Sequence, residues 1–272
     1  MKAASTTAKP ARPDRDHPGG TQTLHRAASI VRLVAARNRP GMRLTDVVKF
    51  SGLQRPTAHR ILKGLIAEGL LTQDPESRLY SLGPLVFELG LAAAPQFNLS
   101  DICRPSLQRI AEKTGDTVFL SVRSGHDSVC IDRKEGSFPI KTFTLEIGMR
   151  RPLGVGIGSV AILAALPDED IRHIISSNAP RLPEYGLTSN SLLAQVKKAQ
   201  KLGYAVRETP SLAGVRSIGQ ALHNRGGVPF AALSVSAISS RMNEKRVAEL
   251  AALLRNETRS IEKQLSAGAE PR

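Results

Sequence analysis

The sharpest chemistry in the sequence lies between Gln54 and Lys63. Arg55, His59 and Lys63 stand at four-residue steps, so a helix carries them on one face, with Thr57 and Arg60 alongside. The opposite stripe is apolar, built from Ala58, Ile61, Leu62, Leu65 and Ile66, and no acid interrupts the basic face until Glu68. Guanidinium groups donate in pairs to guanine edges, Thr and His reach bases or phosphates, and Gln54 matches adenine. Such a face fits the major groove of duplex DNA. Arg78, further along, is suited to a phosphate or to the minor groove. For an isolated helix a solvated polar face explains the same residues, so the neighbouring elements must decide.

Other chemistry is harder to assemble. Ser, His and Asp are all present, yet there is no Gly-x-Ser-x-Gly elbow and no His-Glu-x-x-His pair, and Gly156-Ile157-Gly158-Ser159 misses the elbow spacing. His126 and Asp127 fall in a turn, where solvent exposure is the ordinary explanation. The run from Gly154 to Ser159 lacks the G-x-G-x-x-G pattern and the acid of a dinucleotide site, and it lacks the Lys of a P-loop. Cys103 and Cys130 are too few and too isolated for a disulfide framework or a zinc site. They read as buried thiols, which suits a reducing compartment. No catalytic residue, metal or cofactor is expected.

The basic face needs elements to present it. Leu24, Ala27, Ala28, Val31, Val34 and Ala35 recur as one face of a first helix, which Pro40 and Gly41 stop. A short second helix follows, with Thr45 as its cap and Val47 and Val48 on its buried side. Ser51-Gly52-Leu53 is a tight turn. The third helix runs from about Gln54 to Glu68. Leu70 to Thr72 and Leu79 to Leu82 flank a turn at Asp74–Ser77 and read as a β-hairpin. Three helices and a hairpin in this order make a winged helix-turn-helix. Leu85 to Ala94 reads as a linker helix, with Leu85, Val86, Leu89 and Leu91 as its apolar surface, and Pro95 and Asn98 mark a boundary.

Beyond it, helices are expected at 99–113, 157–166, 168–176, 191–202 and 244–265. Strands are expected at 117–123, 128–132, 140–147, 204–207, 215–222 and 229–236. Hairpin-linked strands with few crossovers imply a mainly antiparallel sheet packed with helices. The fold class is therefore α+β. The expected divisions are a disordered tail (1–20), the winged domain (21–83), the linker (84–98), a second domain (99–266) and a frayed C-terminal tail (267–272).

Composition agrees with a polyanionic partner. The 272 residues carry a formal net charge of +14, and residues 1–83 hold 14 Lys and Arg against 6 Asp and Glu, a net of +8. More than half of the excess charge thus sits in less than a third of the chain, and with the turn and hairpin it favours DNA binding over a plain solvated face. No apolar run reaches the roughly 20 residues that span a bilayer, and residues 1–20 lack the apolar centre of a signal peptide. A cytoplasmic protein is expected.

Several segments together resemble one known family. Leu24-His25-Arg26-Ala27, Leu53 to Leu62 (LQRPTAHRIL), Leu79 to Gly83 (LYSLG), Val129 to Arg133, Arg151-Pro152-Leu153, Gly203-Tyr204, Gly214 to Ile218 and Ala231 to Arg241 occur in the order found in the IclR family of bacterial transcriptional regulators. The resemblance covers about residues 21–266. It implies a winged helix-turn-helix, a linker helix that helps dimerise, and an effector domain similar to GAF folds. It also implies operator binding as a homodimer or a dimer of dimers, and sensing of small molecules, often organic acids. The chain departs from the family's usual pattern in three places. Pro152 to Ala165 reads PLGVGIGSVAILAA where PLHATALGKALLA is usual, Arg207-Glu208 replaces an acidic pair, and Ser217 replaces a Cys.

In the family, the effector pocket is built from the loop after Pro-Leu, the strand after Gly-Tyr and the facing late strands. Mapped by resemblance, that implies Arg151, Gly156, Ile157, Arg207, Ser217, Ser234 and Ser236. The chemistry suits a carboxylate. Glycines 154, 156 and 158 leave amides uncovered at a helix start, and Ser234 and Ser236 alternate onto one strand face. Ile140 and Phe143 are expected as apolar walls. Plain helix packing remains the alternative for the glycines, and a surface ion pair with Glu208 or Asp132 the alternative for Arg207. Against a sensor stand two rivals, an enzyme and a purely architectural DNA binder with a degenerate second domain.

Overall fold

The computed structural model describes residues 21–38, 40–93, 99–208 and 214–267, in two compact units that divide at Gly90/Leu91. The tail expected at 1–20, the boundary residues Pro95 and Asn98, and all but Ala267 of the expected C-terminal tail lie outside the described residues. Ala267 itself is helical.

The first unit holds α1 (Gln22–Ala35), α2 (Leu44–Ser51), α3 (Arg55–Ala67), β1 (Leu71–Gln73) and β2 (Tyr80–Leu82). Their apolar stripes meet in one core around Ile30, Val34, Val47, Ala58, Leu62, Leu65, Leu71 and Tyr80. Leu24, expected on the inner face of α1, is instead 71% exposed, because the core meets that helix only from Ala27 onward. Thr45 does not cap α2. Arg43 occupies that position, and its backbone N–H donates to Asp46 in the first turn. Gly52 ends α2 in the left-handed conformation at φ 66°, which a residue with a Cβ adopts only at a cost. The β1–β2 hairpin is tied back to the helices by a bridge in which Met42 and Tyr80 exchange backbone hydrogen bonds of 2.9 and 2.8 Å. Helix α4 (Pro84–Ala93) follows and buries none of its residues; Phe87, Leu89 and Leu91 are all more than half exposed.

The second unit is built on six strands: β3 (Thr117–Ser124), β4 (Asp127–Lys134), β5 (Arg150–Pro152), β6 (Ala205–Glu208), β7 (Val215–His223) and β8 (Pro229–Ile238). They lie in the order β5-β4-β3-β8-β7-β6 and every pairing is antiparallel. One face packs on α5 (Leu99–Thr114) and α9 (Glu244–Ala267), through Leu107, Ile110, Ile218, Leu233 and Leu254 among others. The other face packs on α6 (Ile157–Ala164), with α7 (Asp168–Asn178) and α8 (Ser189–Leu202) beyond it. The N-terminal winged helix-turn-helix and the α/β second unit match the expected fold class.

Residues 140–147, expected as a strand, form none. The outer edge of β4 is taken as far as Cys130: Asp127 to Val129 pair with β5, and Cys130 exchanges hydrogen bonds with Met149 and Gly148. The alternating segment pairs with no strand of the sheet. It folds over the sheet as a loop pinned by Thr142 Oγ1, which donates to the carbonyl of Ser236 at 2.7 Å.

Candidate nucleic-acid interface and ligand pocket

Gln54, in an extended conformation, is the cap residue just before α3, and Pro56 sits in the first turn, where a missing N–H costs nothing. Gln54, Arg55, His59, Arg60 and Lys63 are exposed and Thr57 is half-buried. Among the described residues, none of these side chains enters a hydrogen bond or an ion pair with the rest of the protein. Their positive charge is presented to solvent while Ala58, Ile61, Leu62 and Leu65 anchor the other side. The hairpin tip is held by Asp74, whose carboxylate accepts from Ser77 N–H at 2.7 Å and Ser77 Oγ at 2.6 Å; the side-chain bond to Ser77 is the main cause of its lowered pKa. Arg78 follows at φ 58°, the left-handed region, with its side chain exposed.

In the second unit all seven residues mapped to the pocket line one cavity, together with Thr144, Leu145 and Val155. The strand register explains the clustering. Arg207 pairs with Ser217, Ser217 with Ser236, and Ser236 with Thr117, which aligns four polar residues in a single row across β6, β7, β8 and β3. Directly opposed residues point to the same face of a sheet. Ser217 and Ser236 Oγ lie 2.8 Å apart, and Thr144 Oγ1 reaches Ser236 Oγ at 3.5 Å. Ser234 sits one row further along, opposite Gly219. A Cβ on Gly219 would stand 3.0 Å from Ile157 O, so a glycine there lets the start of α6 settle on β7.

Gly156 caps α6 with no side-chain partner. The first N–H groups of a helix have no intrahelical acceptor. Gly154, however, does not present a free amide: its N–H donates to Ser159 Oγ at 3.0 Å, and that hydroxyl donates in turn to Gly156 O at 2.7 Å. The uncovered stretch is therefore narrower than the three glycines suggest. Ile140 and Phe143 do not line the cavity. They are 57% and 54% exposed, and Phe143 lies under the guanidinium of Arg133. Thr144 and Leu145 take their place, and nothing in the sequence marks them, because their position follows from the loop path.

Arg207 turns inward. Its guanidinium donates to the carbonyl of Val155 and to Gln195 Oε1 on α8. Neither acid considered as its surface partner holds it: Glu208 accepts from Ser239 Oγ, and Asp132 from Ser100 Oγ and Arg133 N–H. Burial lowers the Arg207 pKa to about 10 and also lowers that of Arg151, which lies 5.8 Å from the Tyr185 ring centroid.

His126 and Asp127, expected to be exposed, are tied down. His126 Nδ1 lies 2.9 Å from Ser177 Oγ, and Asp127 bridges Arg150 and Arg181. Cys103 and Cys130 are buried thiols, and burial pushes both pKa values up to about 12. Among the described residues no group of His, Cys, Asp and Glu is placed to hold a metal ion, and no helix is long and apolar enough to cross a membrane.

Comparison with known proteins agrees with this architecture. The profile of the IclR helix-turn-helix domain matches residues 23–75, and that of the bacterial transcriptional regulator IclR C-terminal domain matches residues 91–263. The chain is 27% identical over 254 residues to the HTH-type transcriptional repressor AllR of Escherichia coli, covering 93% of each protein. It is 27% identical over 250 residues to the acetate operon repressor of Salmonella typhimurium, covering 90% of each. Among solved structures, it resembles an IclR transcriptional regulator from Alicyclobacillus acidocaldarius with a TM-score of 0.71 at 21% identity, over 89% of this chain and 98% of that one. It also resembles an IclR homologue from Microbacterium hydrocarbonoxydans complexed with 4-hydroxybenzoate, with a TM-score of 0.68 at 20% identity, over 90% of this chain and all of the other. With both profiles matched in order and most of the sequence covered, the chain belongs to the IclR family of transcriptional regulators, a family of DNA-binding proteins and not of enzymes.

Proposed function

We propose that this regulator binds operator DNA through α3 and the β1–β2 wing, and that a small organic acid in the cavity beneath α6 controls that binding. Gln54, Arg55, Thr57, His59, Arg60 and Lys63 read the major groove, and Arg78 contacts the backbone or the minor groove. The protein acts in the cytoplasm as a homodimer or a dimer of dimers. The exposed apolar residues of α4 support self-association, and one winged unit alone grips too few base pairs for useful specificity.

The observation that carries the sensing half is the convergence of Arg151, Gly156, Ile157, Arg207, Ser217, Ser234 and Ser236 on one cavity. Two guanidiniums, three hydroxyls and an uncapped helix start favour a carboxylate. The 4-hydroxybenzoate bound by the Microbacterium homologue is an acid of this class. A thermal-shift screen of small carboxylates tests the reading. A ligand that binds only the folded state raises the melting temperature through RT ln(1 + [L]/Kd). Stabilisation by neutral ligands alone, or by none of the acids, contradicts it.

A further inference from the structure

Two guanidiniums border the cavity, and among the described residues neither has a carboxylate within ion-pair distance. A half-buried guanidinium with no anion beside it has given up part of its hydration without a charged partner in return. A protein that retains two of them in one cavity has lowered the cost of bringing in negative charge. The cavity as it stands is nearly full. Its free volume is about 20 Å³, room for one water. A long, flexible side chain fills much of the remainder: Arg207 reaches across from β6 to the carbonyl of Val155 and to Gln195 Oε1, both neutral acceptors. A carboxylate is the stronger partner, since it adds the attraction of opposite charges and can take two parallel N–H donors at once. Arg151 enters from β5 with its guanidinium 5.8 Å from the Tyr185 ring centroid, and the uncapped start of α6 opens into the same space.

We infer that the effector is a dianion, a molecule with two acid groups, and that Arg207 must release Val155 and Gln195 to admit it. One acid group pairs with Arg207. The other takes Arg151 and the first amides of α6, and the hydroxyls of Ser217, Ser234 and Ser236 supply the polar floor between them. The inference rests on the reading of this cavity as an acid-binding pocket. It adds two things, the charge of the ligand and the side chain that gates its entry.

The experiment is calorimetry on the full-length protein with aliphatic and aromatic dicarboxylates, each paired with its own monomethyl ester. The two members share a skeleton and differ by one charge. The expected result is a diacid that binds about 10- to 100-fold tighter than its half-ester, the range for a hydrogen bond to a charged group. Arg207→Gln, checked for an unchanged circular dichroism spectrum, brings the diacid down to the affinity of the half-ester. Gln195→Ala, which removes one of the contacts that hold Arg207 across the cavity, tightens the diacid by several-fold. Equal affinities for diacid and half-ester in the parent overturn the inference and leave the acid-sensing reading standing. So does a diacid preference that survives Arg207→Gln. Failure of every acid, mono or di, removes both.

Discussion

Ser217 on β7 and Ser236 on β8 are register partners, and their hydroxyl oxygens lie 2.8 Å apart at the floor of the cavity. Both residues are 2% exposed, so this pair holds two polar atoms where water scarcely reaches. Ser236→Ala is expected to lower stability by about 1 kcal/mol, the usual net worth of a buried hydrogen bond. It is also expected to weaken acid binding, because the cavity loses a donor. Denaturant melts and calorimetry on the same variant check both. Unchanged acid affinity together with lowered stability would assign the pair to packing alone.

Arg60→Ala is expected to weaken specific DNA binding by roughly 1–3 kcal/mol if Arg60 reads a base, with a smaller effect on bulk DNA. Arg60 is exposed and, among the described residues, has no protein partner, so the folded state has nothing to lose from the change. Gel shifts at fixed salt measure it, and equal loss on specific and bulk DNA would make Arg60 a phosphate contact instead. The parent's affinity should also fall steeply with salt as counterions are released.

Arg78 occupies the left-handed region at φ 58°, where a residue with a Cβ is strained by about 1 kcal/mol. Its side chain is exposed, so the strain is not offset by burial. Arg78→Gly is therefore expected to keep or raise the melting temperature while weakening DNA binding. A variant that unfolds earlier contradicts the strain at this position, and one that binds DNA as tightly as the parent contradicts a role for Arg78 in DNA binding.

Glu257 on α9 and Arg109 on α5 form a two-pronged pair at 3.1 and 2.6 Å across the helical face of the second unit. Burial alone raises the carboxyl pKa, but hydrogen bonds from Arg109 and Ser106, with the charges of Arg109 and Lys113, together outweigh it and hold the pKa below the usual 4.5. A carboxylate with a depressed folded pKa stabilises the fold above its unfolded pKa and loses that contribution as pH falls through the folded value. The melting temperature should therefore drop on acidification below about pH 4.5, and Glu257→Gln should drop less steeply over the same range. Parallel curves for parent and variant would remove the pair from the acid response.

Helical periodicity and turn residues made the first unit legible, because α1, α2 and α3 each bury one stripe against a single core. The second unit was legible in its helices and hairpins. It was not legible in the segment 140–147, whose alternating pattern is a strand signal although the segment is a loop held to β8 through Thr142. Thr45 looked like a cap because it is a Thr before an apolar run. The backbone instead places Arg43 at that position and answers it with Asp46. In the candidate pocket, resemblance supplied the residues, but the inward turn of Arg207 depends on Val155 and on Gln195, 12 positions away on α8. The loss of Gly154 as a free amide depends on the Ser159 hydroxyl. These are contacts between elements, and no local pattern encodes them.

We propose that this protein recognises particular DNA sites through α3 and that an acid in the second unit changes that recognition. Selection of genomic fragments by the purified full-length protein, at fixed salt and with and without dicarboxylates, tests both halves at once. The expected result is a small set of paired half-sites bound about 10³-fold or more tighter than bulk DNA. The set should be lost in a double Arg55→Ala, Arg60→Ala variant, and its occupancy should change when the acid is added. Uniform binding across fragments, unaffected by the double variant and by every acid, would contradict it.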